Sequence, residues 1–354
     1  MRMTNGNSDN VWFKFQIVAI CSVWYFSSSG QNIVNKLALE SFPYPLTIAL
    51  SSLLNNVLYA IPLLKLLRIK TVQISSNYMM KTIFPISFGR ALAVSSAYVG
   101  LSKVPVSYAQ TIKGTMPLFT VLLSRLMLNE RYSTRIYVSL LPIVAGVFVA
   151  SFTELQFDAI GLASSLFSTC TFAFLNILAK KVFEDSGMHP IHLLSINSQL
   201  ATVILFPLWL LTDGYSMWQA DKPTNPPSLH FLMLLFLSGL LSFIQNFCAF
   251  ALIHQLSALS YAISNAAKRI AVIIVSLIVL QNPVTPLNMF GTLVSVIGVF
   301  IYNRVKHNEG VKRSTSPTCK PLDEERFLRS RKRTFSLNEL RSSDSDVRLM
   351  LSAN

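Results

Sequence analysis

The stretch SALSYAISNAAKRIAVIIVSLIVL, residues 257–280, is long and apolar enough to cross a membrane, yet two basic residues lie side by side at its centre. A transmembrane helix needs about 20 mainly apolar residues. A single charge at the middle of such a helix costs at least about 2.5 kcal/mol on insertion scales. Because the segment holds no acidic residue, Lys268 and Arg269 have no charged partner on their own helix, and the simplest partner is an anionic ligand.

The composition of the whole chain indicates a polytopic membrane protein. Of its 354 residues, 52% are hydrophobic and only 13% are charged, whereas soluble domains carry about 25% charged residues. The mean hydropathy is +0.48. Apolar stretches recur almost from end to end and leave no soluble domain that could host an enzyme. The four cysteines show neither disulfide nor metal-ligand spacing.

The hydropathy pattern predicts an all-α integral membrane protein with ten transmembrane helices arranged as two inverted five-helix repeats. The ten helices are expected at 12–36, 44–67, 80–101, 105–127, 132–152, 158–180, 190–212, 229–254, 257–281 and 285–303. The corresponding domains are a cytosolic N-terminal segment at 1–11, a first repeat at 12–152, a second repeat at 158–303 and a disordered basic cytosolic tail at 304–354.

The orientation follows from the basic residues near helix ends, which concentrate on the cytosolic side of membranes. With a cytosolic N-terminus, eight basic residues lie at cytosolic ends: Lys65, Arg68, Lys70, Arg125, Arg131, Arg135, Lys180 and Lys181. The opposite ends carry three: Lys36, Lys103 and Lys222. This asymmetry predicts that both termini are cytosolic.

A weak internal repeat relates the fourth and fifth predicted helices to the ninth and tenth. Ser107-Tyr108-Ala109 matches Ser260-Tyr261-Ala262, and Gly146-Val147-Phe148 matches Gly298-Val299-Phe300. A repeat of five helices is an odd number, so the second copy must be inverted in the membrane. Inverted repeats are typical of alternating-access carriers, whose substrate site lies near the bilayer midplane.

The charges deep in the predicted helices are all positive. They are Arg90, Lys113, Lys268 and Arg269, whereas the acidic residues fall at helix ends, in loops or in the tail. A proton pump or a cation carrier would need buried carboxylates. A purely positive interior suits phosphate, which Arg binds as a fork and Lys as a point charge. Two alternatives stay open, since Lys113 could reach the interface and Arg90 could bind backbone carbonyls or a lipid headgroup.

Uncharged residues in the same helices are candidates for binding the organic part of a substrate. Tyr261 and Asn246 could donate hydrogen bonds to a sugar or a base, although most polar residues of this kind join helices to one another. No nucleophile–base arrangement, phosphate-binding glycine loop or metal spacing is present. The sequence therefore predicts no enzyme, no metal and no cofactor.

Four short segments carry a resemblance to a known family. They are Lys103-Val104-Pro105-Val106-Ser107-Tyr108 through Ile112-Lys113, Ser264-Asn265-Ala266-Ala267-Lys268-Arg269, Asn176 with Lys180-Lys181, and Gln281-Asn282-Pro283. Through these the chain resembles the triose-phosphate translocators of the nucleotide-sugar transporter superfamily, which have the drug/metabolite transporter fold. Within that group it looks most similar to the E subfamily of solute carrier family 35.

The resemblance implies that Lys113, Lys268 and Arg269 hold the substrate phosphate. Three other ligand positions of the plastid members differ, with Val94 in place of His, Leu175 in place of Arg and Gln245 in place of Tyr. The expected function is secondary-active antiport of a small organic phosphate, a sugar phosphate or nucleotide sugar, against a second phosphate-bearing solute. The expected location is the Golgi or endoplasmic reticulum membrane.

Other partners are expected to be limited to membrane lipid, with no nucleic acid and with a homodimer left open. One alternative from another class also stays open. The chain could be a non-transporting multipass membrane regulator or scaffold that acts through its cytosolic tail.

Overall fold

The computed structural model describes residues 6–66, 75–128, 132–186, 188–219, 229–256 and 258–315. All regular secondary structure within these ranges is helical, which confirms the all-α prediction. The helices are α1 (Gly6–Ser41), α2 (Pro45–Leu66), α3 (Ser76–Lys103), α4 (Val106–Lys113), α5 (Met116–Leu128), α6 (Thr134–Phe152), α7 (Ala159–Ser186), α8 (Pro190–Trp209, continued by Leu210–Gly214 and Tyr215–Gln219), α9 (Leu229–Gln255), α10 (Ala258–Leu280) and α11 (Pro286–Thr315).

Eight helices of the described part are long and apolar enough to cross a membrane: α2, α3 and α6 to α11. The two other predicted spans, 12–36 and 105–127, are not among these eight helices, for separate reasons. In α1 the polar run Ser27-Ser28-Ser29-Gly30-Gln31-Asn32 interrupts the apolar sequence. The predicted span 105–127 is divided at Gly114-Thr115 into α4 and α5, each too short to cross alone.

The last helix is longer than the sequence predicts. α11 continues from Pro286 to Thr315, twelve residues past the predicted boundary at 303, so the segment assigned to the tail begins as helix. The rest of the predicted tail, 316–354, lies outside the described residues, as do 1–5 of the N-terminal segment.

The helices pack in two groups, each built around one closely packed pair. In one group α1 packs along α9 and also contacts α10; in the other α3 packs along α7, which also contacts α4 and α5. Two further pairs, α2 with α8 and α6 with α11, connect the chain's two halves. α4 and α10 meet where the two groups approach each other.

The α6–α11 pair approaches most closely at glycines. A Cβ added to Gly146 would lie 2.3 Å from the Ser295 nitrogen and 2.5 Å from the Gly291 carbonyl oxygen. A Cβ at Gly291 would lie 2.6 Å from the Ala150 nitrogen. Small residues allow helix backbones to approach closely in membranes, so these positions fix the distance between α6 and α11.

A buried carboxylate joins α2 to α8. Asp213 lies in the π-helical turn Leu210–Gly214 and is only 8% exposed. Its Oδ2 accepts hydrogen bonds from the backbone nitrogen of Thr47 at 2.8 Å and from the Thr47 hydroxyl at 3.1 Å. The Trp209 indole donates to the same hydroxyl at 2.9 Å. Asp213 thus supplies an acceptor for the free N–H groups at the start of α2.

Candidate functional site

Arg269 connects α10 to the end of α4. Its Nη1 donates a hydrogen bond to the carbonyl oxygen of Lys113, the last residue of α4. In a continuous helix that carbonyl would accept from the residue four positions later, but Pro117 has no N–H to donate. The sequence therefore leaves one buried acceptor open, and the guanidinium of Arg269 occupies it.

Lys268, the next residue, contacts α1 rather than α4. Its Nζ lies over the indole ring of Trp24, 4.5 Å from the ring centroid. Tyr261, two helical turns earlier on α10, stacks on the same indole with 5.6 Å between centroids and 22° between planes. The adjacent Tyr25 hydroxyl donates to the Ser264 carbonyl at 3.0 Å, which also ties α1 to α10.

The three predicted phosphate ligands form one electrostatic group. Lys268 interacts with the charges of both Arg269 and Lys113, and Lys113 interacts with that of Arg269. All three side chains are part-buried. Within the described ranges, no carboxylate contributes to their electrostatic environment. Positive charges held close together without a counter-charge attract an anion strongly.

Two other predicted ligands lie on helices other than α4 and α10. Arg90 is on α3, and its buried Nε has no hydrogen-bond partner among the described residues. Its charge is not among those that act on Lys113 or Lys268. Asn246 is part-buried on α9, one turn after Phe243, which contacts Tyr59 of α2. Tyr261 contacts the same indole ring as Lys268, whereas Arg90 and Asn246 stay predicted ligands.

A further buried cation has a structural role that the sequence did not reveal. Lys36 is only 9% exposed, and its Nζ donates to the carbonyls of Leu101 and Val104, each at 3.1 Å. These carbonyls belong to the end of α3, where the last helical turn has no internal donors. A lysine at that position also complements the negative end of the helix dipole.

Val94, Leu175 and Gln245, at the positions where the resemblance implies other ligands in the plastid members, have different environments. Leu175 is buried and would contact a Cβ placed on Gly89 of α3. Val94 packs against the main hydrophobic core. Gln245 retains a buried Oε1 that has no hydrogen-bond partner among the described residues. Val94 and Leu175 therefore lie in apolar packing, and Gln245 offers a buried polar atom.

The cavity described beside Arg269 is small. A cavity next to Arg269, lined also by Gln110, Thr111 and Ser295, has a volume of about 10 Å³, which is the size of one water at most. A larger cavity of about 590 Å³ lies between α5, α6 and α7 and contains none of the three cations. Its lining is mainly apolar, and Glu154, whose carboxyl has its pKa raised by burial, is its one ionisable residue among those described. The cavity beside Arg269 is too small for a phosphate, so we expect the helices to move when phosphate binds at Arg269.

The fold and this cation group together define a multi-pass membrane protein with an anion-attracting interior. The sequence model of the Triose-phosphate Transporter family matches residues 15–303, and the chain belongs to that family. Its members are transporters and not enzymes.

Two relatives from Arabidopsis thaliana illustrate the similarity. Glucose-6-phosphate/phosphate translocator 1, chloroplastic, is 30% identical over 83% of this chain and 76% of its own length. Phosphoenolpyruvate/phosphate translocator 2, chloroplastic, is 34% identical over 80% of this chain and 75% of its own length. A crystal structure with 14% identity superposes with a TM-score of 0.54, covering 83% of this chain and 98% of that one, and supports the fold alone.

Proposed function

We propose that this chain is a secondary-active antiporter that exchanges organic phosphates through a site built on Lys113, Lys268 and Arg269. The observation that carries the proposal is the grouping of three part-buried cations from α4 and α10, whose contacts among the described residues are the Lys113 carbonyl and the Trp24 ring and include no carboxylate. Arg supplies a planar pair of donors for two phosphate oxygens, and each Lys supplies a point charge.

The packing of the helices supports alternating access by two inverted repeats. If α4 and α5 together make one crossing and α1 makes another, the chain has ten crossings, five in each half. Each helix of the first half then has an equivalent in the second half. When every helix is replaced by its equivalent, the α1–α9 pair becomes the α7–α3 pair, and the α2–α8 and α6–α11 pairs map onto themselves. All four pairs are among the closely packed ones. A set of packed helix pairs that stays the same when the two repeats are exchanged is expected of a carrier whose halves rock about a central site.

The charge of the site provides a reason for exchange rather than one-way transport. An empty carrier holds three cations in a partly buried site, and moving such charges through the membrane interior is costly. A bound phosphate offsets most of this positive charge and lowers that cost. The carrier then reorients readily only when it is loaded, and each phosphate carried in one direction is matched by another in return.

The substrate is a sugar phosphate or a nucleotide sugar. The relatives named above are translocators of glucose 6-phosphate and phosphoenolpyruvate against phosphate, which favours small substrates. Val94 and Leu175 lie in apolar packing at positions where the resemblance implies polar ligands in the plastid members, so we infer that the organic part of the substrate is held differently here. We place the carrier in the Golgi or endoplasmic reticulum membrane with both termini cytosolic, on its resemblance to the solute carrier 35 E subfamily.

The proposal is tested with the purified full chain in liposomes preloaded with one organic phosphate at a time. Uptake of labelled phosphate is expected only when a phosphate-bearing solute is inside. Lys268→Ala should abolish uptake, whereas Lys65→Ala, a change at an exposed lysine near the end of α2, should leave it intact. If no phosphate or nucleotide sugar supports uptake, and deletion of 316–354 removes cellular function that Lys268→Ala retains, the chain is a regulator instead.

A further inference from the structure

The indole of Trp24 is the only aromatic ring of the described residues that a cation of the proposed site contacts. Trp24 is 1% exposed, and its Nε1 has no hydrogen-bond partner among the described residues. The ring is therefore held by packing, with Cys248 and Leu252 of α9 in the same buried cluster. Lys268 lies over this ring at 4.5 Å.

The position of the ring is fixed by two contacts to residues that precede Lys268 on α10. Tyr261 stacks on the indole, and the Tyr25 hydroxyl, on the residue after Trp24, binds the Ser264 carbonyl. α1 therefore cannot slide past α10 without breaking these contacts. The indole lies under the Lys268 ammonium as a built feature of the α1–α10 interface.

An aromatic ring is an unusual partner for a lysine at this depth. The ring quadrupole attracts a cation, and the attraction grows when the pair is removed from water. Unlike a carboxylate, the ring leaves the net charge of Lys268 in place, so the site still attracts anions. A phosphate that binds the ammonium through short charge-assisted hydrogen bonds must compete with the ring for it.

We propose that Trp24 is a positioning residue that holds the Lys268 ammonium in the substrate-free carrier, weakening phosphate binding and so speeding phosphate release. This inference rests on the proposed function, because it concerns the same phosphate site. A carrier with three cations and no counter-charge gains nothing from very tight phosphate binding, since transport requires binding that is weak enough for the phosphate to leave. Trp24 supplies a neutral alternative partner to which Lys268 returns as phosphate leaves.

The decisive experiment measures binding of inorganic phosphate to the purified full chain. In Trp24→Leu the empty state loses its cation–π contact while the phosphate-bound state loses little. The dissociation constant should therefore fall roughly tenfold, which corresponds to about 1.4 kcal/mol. The gain should appear mainly as slower dissociation, as is usual for changes within one binding site. Trp24→Phe retains a weaker ring and should give an intermediate value.

Tyr25→Phe is the matched control. It removes the hydrogen bond to the Ser264 carbonyl and loosens the same α1–α10 interface without touching the indole. Its phosphate affinity should stay near that of the wild type. Weaker or unchanged phosphate binding in Trp24→Leu would overturn the proposal, because the ring would then stabilise the bound state or neither state. If Trp24→Leu does not fold, the direction of the change in phosphate affinity in Trp24→Phe is the test instead, with tighter binding expected.

A second measurement made without phosphate separates this inference from the proposed function. Thermal unfolding of Trp24→Phe, Lys268→Met and the double variant forms a double-mutant cycle. The destabilisation caused by Trp24→Phe should shrink when Lys268 is already Met. Additive effects would show that ring and ammonium do not interact and would sink the inference. If the cycle shows coupling but the wild type binds no phosphate or organic phosphate, the proposed function fails and the Trp24–Lys268 contact remains.

Discussion

At Arg269 one guanidinium has two competing acceptors, the Lys113 carbonyl that it binds in this structure and the phosphate of the proposed substrate. Only a planar fork with several donors could keep the carbonyl and still reach a phosphate oxygen. Arg269→Lys retains the charge but loses the fork. We expect phosphate exchange in liposomes to fall at least roughly tenfold, since a bidentate Arg–phosphate pair adds energy and geometric specificity that the point charge of a lysine lacks.

Arg125→Lys is the matched control for this change. Arg125 is exposed and binds the hydroxyl and ring of Tyr137 on α6, away from the cation group. Exchange should remain at the wild-type rate in that variant. Wild-type exchange in Arg269→Lys as well would reduce Arg269 to a generic positive charge.

Lys113 and Lys268 interact electrostatically across the α4–α10 contact, so we predict that they bind one phosphate together. The measurement is stabilisation against heat by a single organic phosphate in Lys113→Ala, Lys268→Ala and the double variant, because a ligand stabilises the folded state by an amount that grows with the ratio of its concentration to its dissociation constant. The double variant should be little worse than the worse single one. Separate sites would instead add to within about 0.5 kcal/mol, and the shared site would have to be abandoned.

Sequence reasoning at the residue scale found the cations but only part of their roles. The depth of Lys113, Lys268 and Arg269 in apolar segments was visible, because a charge in such a segment is costly wherever the chain folds. Trp24 gave no signal, since an aromatic residue in a hydrophobic helix is ordinary. Lys36 was assigned to a helix end outside the core because its carbonyl partners, Leu101 and Val104, become neighbours only in the folded chain.

At the scale of the element, the break between α4 and α5 has a cause that is readable in the sequence. Pro117 follows Lys113 by four residues and removes the donor that the Lys113 carbonyl would use. A proline inside an apolar span signals an open carbonyl four positions earlier, and a basic residue on a neighbouring helix is a natural donor to it. Which helix supplies that donor could not be predicted, because it depends on the packing of α10 against α4.

This account predicts that Pro117→Ala suppresses the stability loss caused by Arg269→Ala. In the wild-type background, Arg269→Ala leaves the Lys113 carbonyl buried and unpaired, which costs about 1–3 kcal/mol. With alanine at 117, a backbone N–H can take over that carbonyl, and the same change should cost less. Thermal unfolding of the two singles and the double variant measures the difference.

Pro142→Ala provides the comparison, since Pro142 also lies inside a helix, α6, but far along the chain from the Lys113 carbonyl. It should leave the cost of Arg269→Ala unchanged. Equal costs of Arg269→Ala in the wild-type and Pro117→Ala backgrounds would mean that the carbonyl contact contributes no stability. Arg269 would then be available to substrate alone.

At the scale of the whole molecule, the open question is how many times the chain crosses the membrane. Eight helices of the described part qualify by length and hydropathy, whereas the proposed inverted repeat requires that α1 and the α4–α5 pair also cross. Hydropathy alone undercounts such segments, because polar runs and broken helices are tolerated where they face protein rather than lipid. The packing of α1 on α9 and of α5 on α7 places both segments within the bundle.

The two counts place the end of α3 on different sides of the membrane, and this gives the last prediction. With ten crossings, Lys103 follows three of them and lies opposite the C-terminal tail. With eight, it follows two and lies on the tail's side. Lys103 is exposed, so Lys103→Cys in a variant lacking the native cysteines can be labelled by a membrane-impermeant thiol reagent. We expect labelling from the side opposite the tail. Gln156→Cys, in the α6–α7 connection, serves as the reference because it lies opposite the tail under either count. Labelling of position 103 from the tail's side would remove the odd-numbered repeat, and with it the inversion on which alternating access through this site depends.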